Sequence, residues 1–249
     1  MIANALQPAA AASALKRLRV KLFADGADVD GMREMAANPA IAGFTTNPTL
    51  MRKAGIGDYA RFARDVLALV PDRPISFEVF SDDFKEMERQ ARTINAWGTN
   101  VYVKIPVTNT KGESAAKLVH ALSADGIKLN VTALTTLEQV GVVTDALAAE
   151  TRGYVSIFAG RIADTGRDPM PIMKAAVARL ARKPLLELIW ASPREVLNVF
   201  QADEVGCQII TATNDILKKL AIVGKDLTQY SLETVKMFHD DARAAGYRI

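Results

Sequence analysis

The chain has 249 residues, 49% of them apolar and 24% charged, the composition of an ordinary globular protein that can bury a sizeable core. Its 31 basic residues are scattered and nearly balanced by 28 acidic ones, for a net charge of +3, so no nucleic-acid partner is expected. One cysteine excludes an intrachain disulfide, one cysteine and two histidines cannot build a usual zinc site, and no apolar run reaches the roughly 18 residues a bilayer needs.

Residues 1–18 are alanine-rich, but their positive charges follow the apolar stretch, the reverse of a secretory signal. They read as the N-terminal helix or tail of a cytoplasmic protein. The basic run Lys16–Lys21, with Arg17 and Lys21, reads as the end of that helix entering a strand rather than as a phosphate- or RNA-binding arm.

Short β-branched or aromatic runs then alternate with longer helical patterns. Strands are expected at Val20–Ala24, Ile41–Phe44, Ile75–Val79, Val101–Ile105, Lys128–Thr132, Gly153–Phe158, Leu185–Ala191 and Gln208–Thr211. Several are apolar without alternation, as in strands covered on both faces. Helices are expected at Tyr59–Val70, Phe84–Trp97, Ser114–Leu122, Leu137–Ala148, Asp168–Leu180, Pro193–Phe200 and Asn214–Leu220. Asp28, Thr136, Ser192 and Thr213 sit where helix N-caps or first turns belong. Eight β-then-α units predict a single (β/α)8 barrel domain over residues 1–249. An open doubly wound sheet is the alternative, although the Gly-rich turn it usually carries after its first strand is missing. The tail, 226–249, reads as one more amphipathic helix, packed on the barrel or on a neighbouring subunit, and a homo-oligomer is expected.

Barrel enzymes carry their chemistry at the C-terminal ends of the strands. There Asp25, Asn47, Glu78, Lys104, Asn130, Ser156 and Ser192 recur at separations of 22, 31, 26, 26, 26 and 36 residues, each about one βα unit. Asp25 and Ser192 taken alone read equally well as caps. Lys104 lies inside the apolar strand Val101–Val107. A lysine so placed must half-bury its ammonium, which either depresses its pKa and makes it a carbonyl-attacking nucleophile or ties it into an ion pair with Glu78 or Asp25.

Five segments resemble the transaldolase family, which includes the small fructose-6-phosphate aldolases. They are Thr45-Thr46-Asn47-Pro48-Thr49, Val103-Lys104-Ile105-Pro106, Asn130-Val131-Thr132, Phe158-Ala159-Gly160-Arg161-Ile162 and Ala191-Ser192-Pro193-Arg194. They stand in the family's order and the likeness runs from residue 22 to about 220. The resemblance implies an α/β barrel with the Schiff-base lysine on the fourth strand, which is where Lys104 falls in the strand order above. It implies that Lys104 forms the imine and that Asp25 takes the proton of the C4 hydroxyl as the C3–C4 bond breaks. Glu78 and Thr132 would position a catalytic water. Asn47 and Asn130 would hold the dihydroxyacetone hydroxyls, with Ser156 lining the site. Arg161, Ser192 and Arg194 would bind the substrate phosphate. No metal or organic cofactor is implied, because the protonated imine is itself the electron sink.

Within the family, Glu78 and Phe158 match the transferase pattern, where the aldolase branch has glutamine and tyrosine. Transfer of a dihydroxyacetone unit between sugar phosphates is therefore expected, with release of free dihydroxyacetone as the alternative. A barrel that binds sugar phosphate without turnover is a reading of a different class, opposed by the lysine, both acids and the arginines together. The chain departs from the family at Trp190, where a small residue is usual, and at Pro193, which separates the serine from the arginine. His120, His239, Phe84, Trp97 and Cys207 are read as packing or surface residues.

Overall fold

The computed structural model describes Leu15 and residues 17–249, so the expected N-terminal helix or tail lies almost wholly outside the described residues. These fall into two compact units, Arg19–Leu217 and a second that contains Lys218–Ile249.

The first unit holds eight strands: β1 Lys21–Asp25, β2 Ile41–Thr45, β3 Ile75–Glu78, β4 Val101–Pro106, β5 Leu129–Leu134, β6 Gly153–Ile157, β7 Leu186–Trp190 and β8 Ile209–Thr213. Each pairs in parallel with the next, and β8 returns to β1, so the sheet is a closed barrel. The expected (β/α)8 barrel is met and the open sheet is excluded. β1, β2, β5 and β8 run one or two residues further into their polar ends than expected. A strand's C-terminal residues are held by the ladder of its neighbours, whatever their own β-propensity.

The helices that follow the strands are α1 Val29–Ala36, α2 Pro48–Lys53, α3 Tyr59–Leu69, α4 Phe84–Asn95, α5 Ala116–Ala124, α6 Leu137–Ala146, α7 Ala159–Asp164, α8 Met170–Leu180, α9 Leu197–Glu204 and, after β8, α10 Asn214–Lys218. The sequence patterns missed α1, α2 and α7. Asp28 caps α1, and Thr136 opens α6 with a capping box closed by Gln139. Ser192 does not cap, since the helix after it starts at Leu197, while Thr213 immediately precedes α10 as expected. Ser192 has a left-handed backbone, and the Thr213 hydroxyl donates to the Asp215 carboxylate. α9 starts at Leu197 instead of Pro193 because the Asn198 side-chain oxygen takes the backbone N–H groups of Arg194 and Glu195, holding that stretch as a loop. In the second unit a 3-10 turn, Lys219–Ile222, precedes the C-terminal helix α11, Leu227–Ala244, which Asp226 caps. Among the described residues, no helix is long and apolar enough to cross a membrane.

The barrel interior follows from the two-residue repeat of a strand. Phe23, Tyr102, Tyr154, Ile189 and Ile209 pack together as an apolar plug. Two residues further along the same strands stand Asp25, Lys104, Ser156, Ala191 and Thr211, which line a cavity. Tyr102 and Tyr154 stack with ring centroids 4.0 Å apart, and Phe23 meets Tyr154 edge-on at 5.9 Å. Phe23 fills the space left by Gly43, where a Cβ would lie 2.4 Å from its ring. The plug thus closes the barrel beneath the cavity and fixes its floor.

Candidate active site

The cavity opens at the C-terminal ends of the strands and encloses about 410 Å3. Lys104 stands on β4, 6% exposed, with Nζ 3.1 Å from Glu78 Oε2 on β3 and donating at 3.1 Å to the Thr46 carbonyl. The cross-strand register Glu78↔Lys104 makes this pair, so the ion-pair reading of Lys104 is realised in a residue that also faces the cavity. Two of the ammonium's three hydrogens are then held, and the group is aimed.

Asp25 ends β1. The Thr45 hydroxyl donates to its Oδ1 at 2.7 Å, and the Asn47 side chain also bonds to it. Asn47 caps α2 by accepting from the Leu50 N–H, which leaves its amide nitrogen to face Asp25. Burial pushes the Asp25 carboxyl above the ordinary carboxylate range, against the opposing pull of the Lys104 charge and of the bonds from Thr45 and Asn47.

On β5 a bulge sets Thr132 and Ala133 against the single residue Ser156 of β6, between the pairs Val131↔Val155 and Leu134↔Ile157. Ala133 takes φ 66°, a conformation that side chains rarely adopt, and lies on the cavity wall beside Thr132. The Thr132 hydroxyl is buried without a hydrogen-bond partner. Asn130 is fully buried and does not reach the wall: its amide donates to Ser76 Oγ at 2.9 Å and its oxygen accepts from Ser156 Oγ at 2.7 Å. It braces Ser156, which does line the cavity.

At the rim stand Phe158, Arg161 and Ser192. The Arg161 guanidinium lies 5.5 Å from the centre of the Phe158 ring, which orients it. Ser192 has φ 56°, and its carbonyl presses on α7 so closely that a Cβ on Gly160 would fall 1.5 Å from the oxygen. Gly160 is therefore what lets Arg161 and Ser192 share one rim. Arg194 is not brought to the wall. It forms a two-point pair with Asp164 at the end of α7, at 2.9 and 2.5 Å, and holds that carboxyl below its usual range. Trp190 is fully buried and absent from the lining. The neighbouring Ala191 presents the small side chain there, so the indole does not crowd the rim.

Seven of the nine other proposed residues thus join Lys104 and Asp25 around one cavity, while Asn130 and Arg194 stand behind it. Reading the sequence missed Thr45, Thr46 and Thr211, all of which touch the two key groups or their partners. Thr45 and Thr46 lie inside a quoted motif, whereas Thr211 carries no local signal. Cys207 is buried, donates to backbone carbonyls, and has its thiol pushed up to about 12 by burial, so it stays protonated. Lys21 pairs with Glu187 at 2.5 Å at the opposite end of the strands. Among the described residues, no cluster of His, Cys, Asp and Glu could hold a metal ion.

Comparison with known proteins identifies the family. A family model described as "Transaldolase/Fructose-6-phosphate aldolase" matches residues 22–249. A "Probable transaldolase" of Thermoanaerobacter sp. (strain X514) is 36% identical over 231 residues, covering 92% of this chain and 100% of that protein. A "Probable transaldolase 2" of Listeria monocytogenes is 35% identical over 202 residues, covering 81% of this chain and 88% of that one. Among solved structures, 2,3-dimethylmalate lyase superposes with a TM-score of 0.54 at 12% identity, covering 96% of this chain and 89% of that one, and shares the fold alone. A mandelate oxidase variant does so with a TM-score of 0.55 at 14% identity, covering 91% and 82%. With the family model covering residues 22–249 and relatives at 35–36% identity, the chain belongs to the transaldolase/fructose-6-phosphate aldolase family.

Proposed function

We propose that the chain is a transaldolase that moves a dihydroxyacetone unit from a ketose phosphate to an aldose phosphate through an imine on Lys104. The observation that carries this reading is a buried amine held 3.1 Å from a carboxylate in a cavity that also contains a second, raised-pKa carboxyl. After giving up a proton, Lys104 attacks the ketose C2 carbonyl, and loss of water leaves a protonated imine. Asp25 takes the C4 hydroxyl proton, the C3–C4 bond breaks, and its electron pair enters the enamine. The aldose phosphate leaves, the enamine attacks the acceptor aldehyde, and Asp25 returns its proton to the new hydroxyl. General acid–base help of this kind is worth about 100- to 10,000-fold.

Glu78 and the unpartnered Thr132 hydroxyl suit a water that relays protons as the imine forms and hydrolyses. Asn47 and Ser156 offer hydrogen bonds to the substrate hydroxyls, and Asn130 acts by holding Ser156. Arg161 and Ser192 bind the phosphate. Arg194 reaches it by exchanging the Asp164 carboxylate for phosphate, the two anions that suit its planar fork. The single, protonated cysteine suits a reducing compartment, and we place the reaction in the cytoplasm.

Borohydride reduction in the presence of fructose 6-phosphate tests the imine. One reduced adduct is expected, in the peptide that contains Lys104. An adduct of unchanged mass in Lys104→Ala would overturn the assignment.

Release of free dihydroxyacetone is the second reading, and Phe158 opposes it: it brings no hydroxyl to protonate the enamine. Turnover of fructose 6-phosphate alone should be slow and should accelerate with erythrose 4-phosphate, and Phe158→Tyr should raise dihydroxyacetone release relative to transfer. Equal release of both products, at a rate the acceptor does not change, identifies an aldolase instead.

A further inference from the structure

β8 is the strand to which sequence reasoning assigned no functional residue, yet its Thr211 lines the cavity and is 5% exposed. The strand order brings β8, β1 and β2 side by side, with Phe23↔Thr211 and Asp25↔Thr45 in register. Thr211 shares the cavity layer with Asp25 and reaches it by way of Thr45. Thr45 Oγ1 donates to Asp25 Oδ1 at 2.7 Å and lies 2.6 Å from Thr211 Oγ1.

A hydroxyl carries one proton. Once Thr45 has given its own to the Asp25 carboxylate, the bond between the two threonines must be donated by Thr211. The carboxylate therefore ends a chain of two hydroxyls that all point toward it, and each bond polarises the next. When Asp25 takes up a proton, the charge that orients the chain is gone. The chain favours the form of Asp25 that can accept a proton from substrate.

We propose that Thr211 is a positioning residue for Asp25, acting through Thr45 to hold the carboxylate in its proton-accepting form and orientation. The inference deepens the transaldolase reading above and rests on its assignment of Asp25 as the base. The other groups acting on Asp25 are the Asn47 side chain and the charge of Lys104. Glu78 and Arg161 are the further charged groups on the cavity wall, and the flanking strands β2 and β8 bring no titratable side chain. Two burials that matter are thus linked by hydroxyls alone on the β8 side, which makes the effect of removing one readable.

The experiment compares Thr211→Val, which keeps the shape and loses the hydroxyl, with Thr211→Ser, which keeps the hydroxyl. The primary readout is the pH titration of the Asp25 side-chain carboxyl 13C resonance, assigned by its loss in Asp25→Asn. The second is the acid limb of kcat/KM. In Thr211→Val both midpoints should rise by about half a pH unit, so that kcat/KM on the acid limb falls about threefold while the plateau is retained. Thr211→Ser should follow the unmodified protein in both. An unmoved Asp25 midpoint in Thr211→Val would overturn the inference, and so would equal losses in the serine and valine variants, which would mean that Thr211 only packs. The resonance needs no turnover. If it shifts as expected while the unmodified protein transfers no dihydroxyacetone, the coupling of Thr211 to Asp25 stands and the transaldolase reading is what fails.

Discussion

The two layers of the barrel interior are built by the same strands, two residues apart, and they differ in almost every physical respect. The lower layer, with Phe23, Tyr102 and Tyr154 at its centre, is apolar and packed ring against ring. The upper layer holds an ammonium and two carboxylates, a buried hydroxyl without a partner, and two non-glycine residues, Ala133 and Ser192, in left-handed conformations. Each of those upper features costs stability. The contrast teaches that this fold separates its duties by height along a strand: one pleat supplies the free energy that the next uses to hold groups where water alone would not put them.

The largest break should come from Lys104→Met, which removes the nucleophile and keeps an unbranched apolar chain. We expect kcat/KM to fall at least about 10,000-fold, with the fold retained by circular dichroism. A variant keeping a tenth of its activity would place the nucleophile elsewhere.

Phe23→Ala attacks the other layer. Loss of a buried ring should cost about 3–5 kcal/mol, measured by urea unfolding, and should lower activity only through the fraction folded. A kcat/KM loss per folded molecule as large as that of Lys104→Met would show that the layers are not separable.

Asp25→Asn should move the two measures in opposite directions. Activity should drop about 100- to 10,000-fold. Because the folded-state pKa is raised, the Asp25 contribution to stability is fully present below the unfolded value and is lost as pH rises through the folded one. The amide escapes that loss, so Tm should rise at neutral pH and should match the unmodified protein in acid. The same sign places the acid limb of kcat/KM above the ordinary carboxylate range. A Tm gain that persists unchanged to low pH would rule out the titration as its source.

The smallest effects should separate the two arginines. Arg161 lines the cavity, whereas Arg194 is engaged by Asp164. Arg161→Ala should raise KM for phosphorylated substrates by about 10-fold or more, Arg194→Ala by less, and neither should change kcat/KM for free sugars comparably. The reverse ranking would make Arg194 the principal phosphate ligand.

The sequence by itself determined the eight βα units, because each strand is a short β-branched run and each long helix a full apolar period. It also put Lys104 and Asp25 at strand ends, since a polar residue recurring once per βα unit faces the barrel mouth, while leaving open whether each acts as a reactive group or as an ion-pair or cap partner. It marked the rim through Phe158, Arg161 and Ser192, where the motif residues are contiguous. Tertiary structure alone decided the rest. Asn130 turned away from the wall because Ser76, 54 residues earlier, captured its amide. Arg194 was drawn to Asp164, 30 residues earlier, instead of to the cavity. α9 lost its first turn to the Asn198 side chain, and Thr211 joined the site only because closure of the barrel laid β8 beside β1. Periodicity reports which face of an element a residue occupies, but the partner waiting on that face comes from distant chain, and a hydrogen bond of under 3 Å is settled only when both ends are in place.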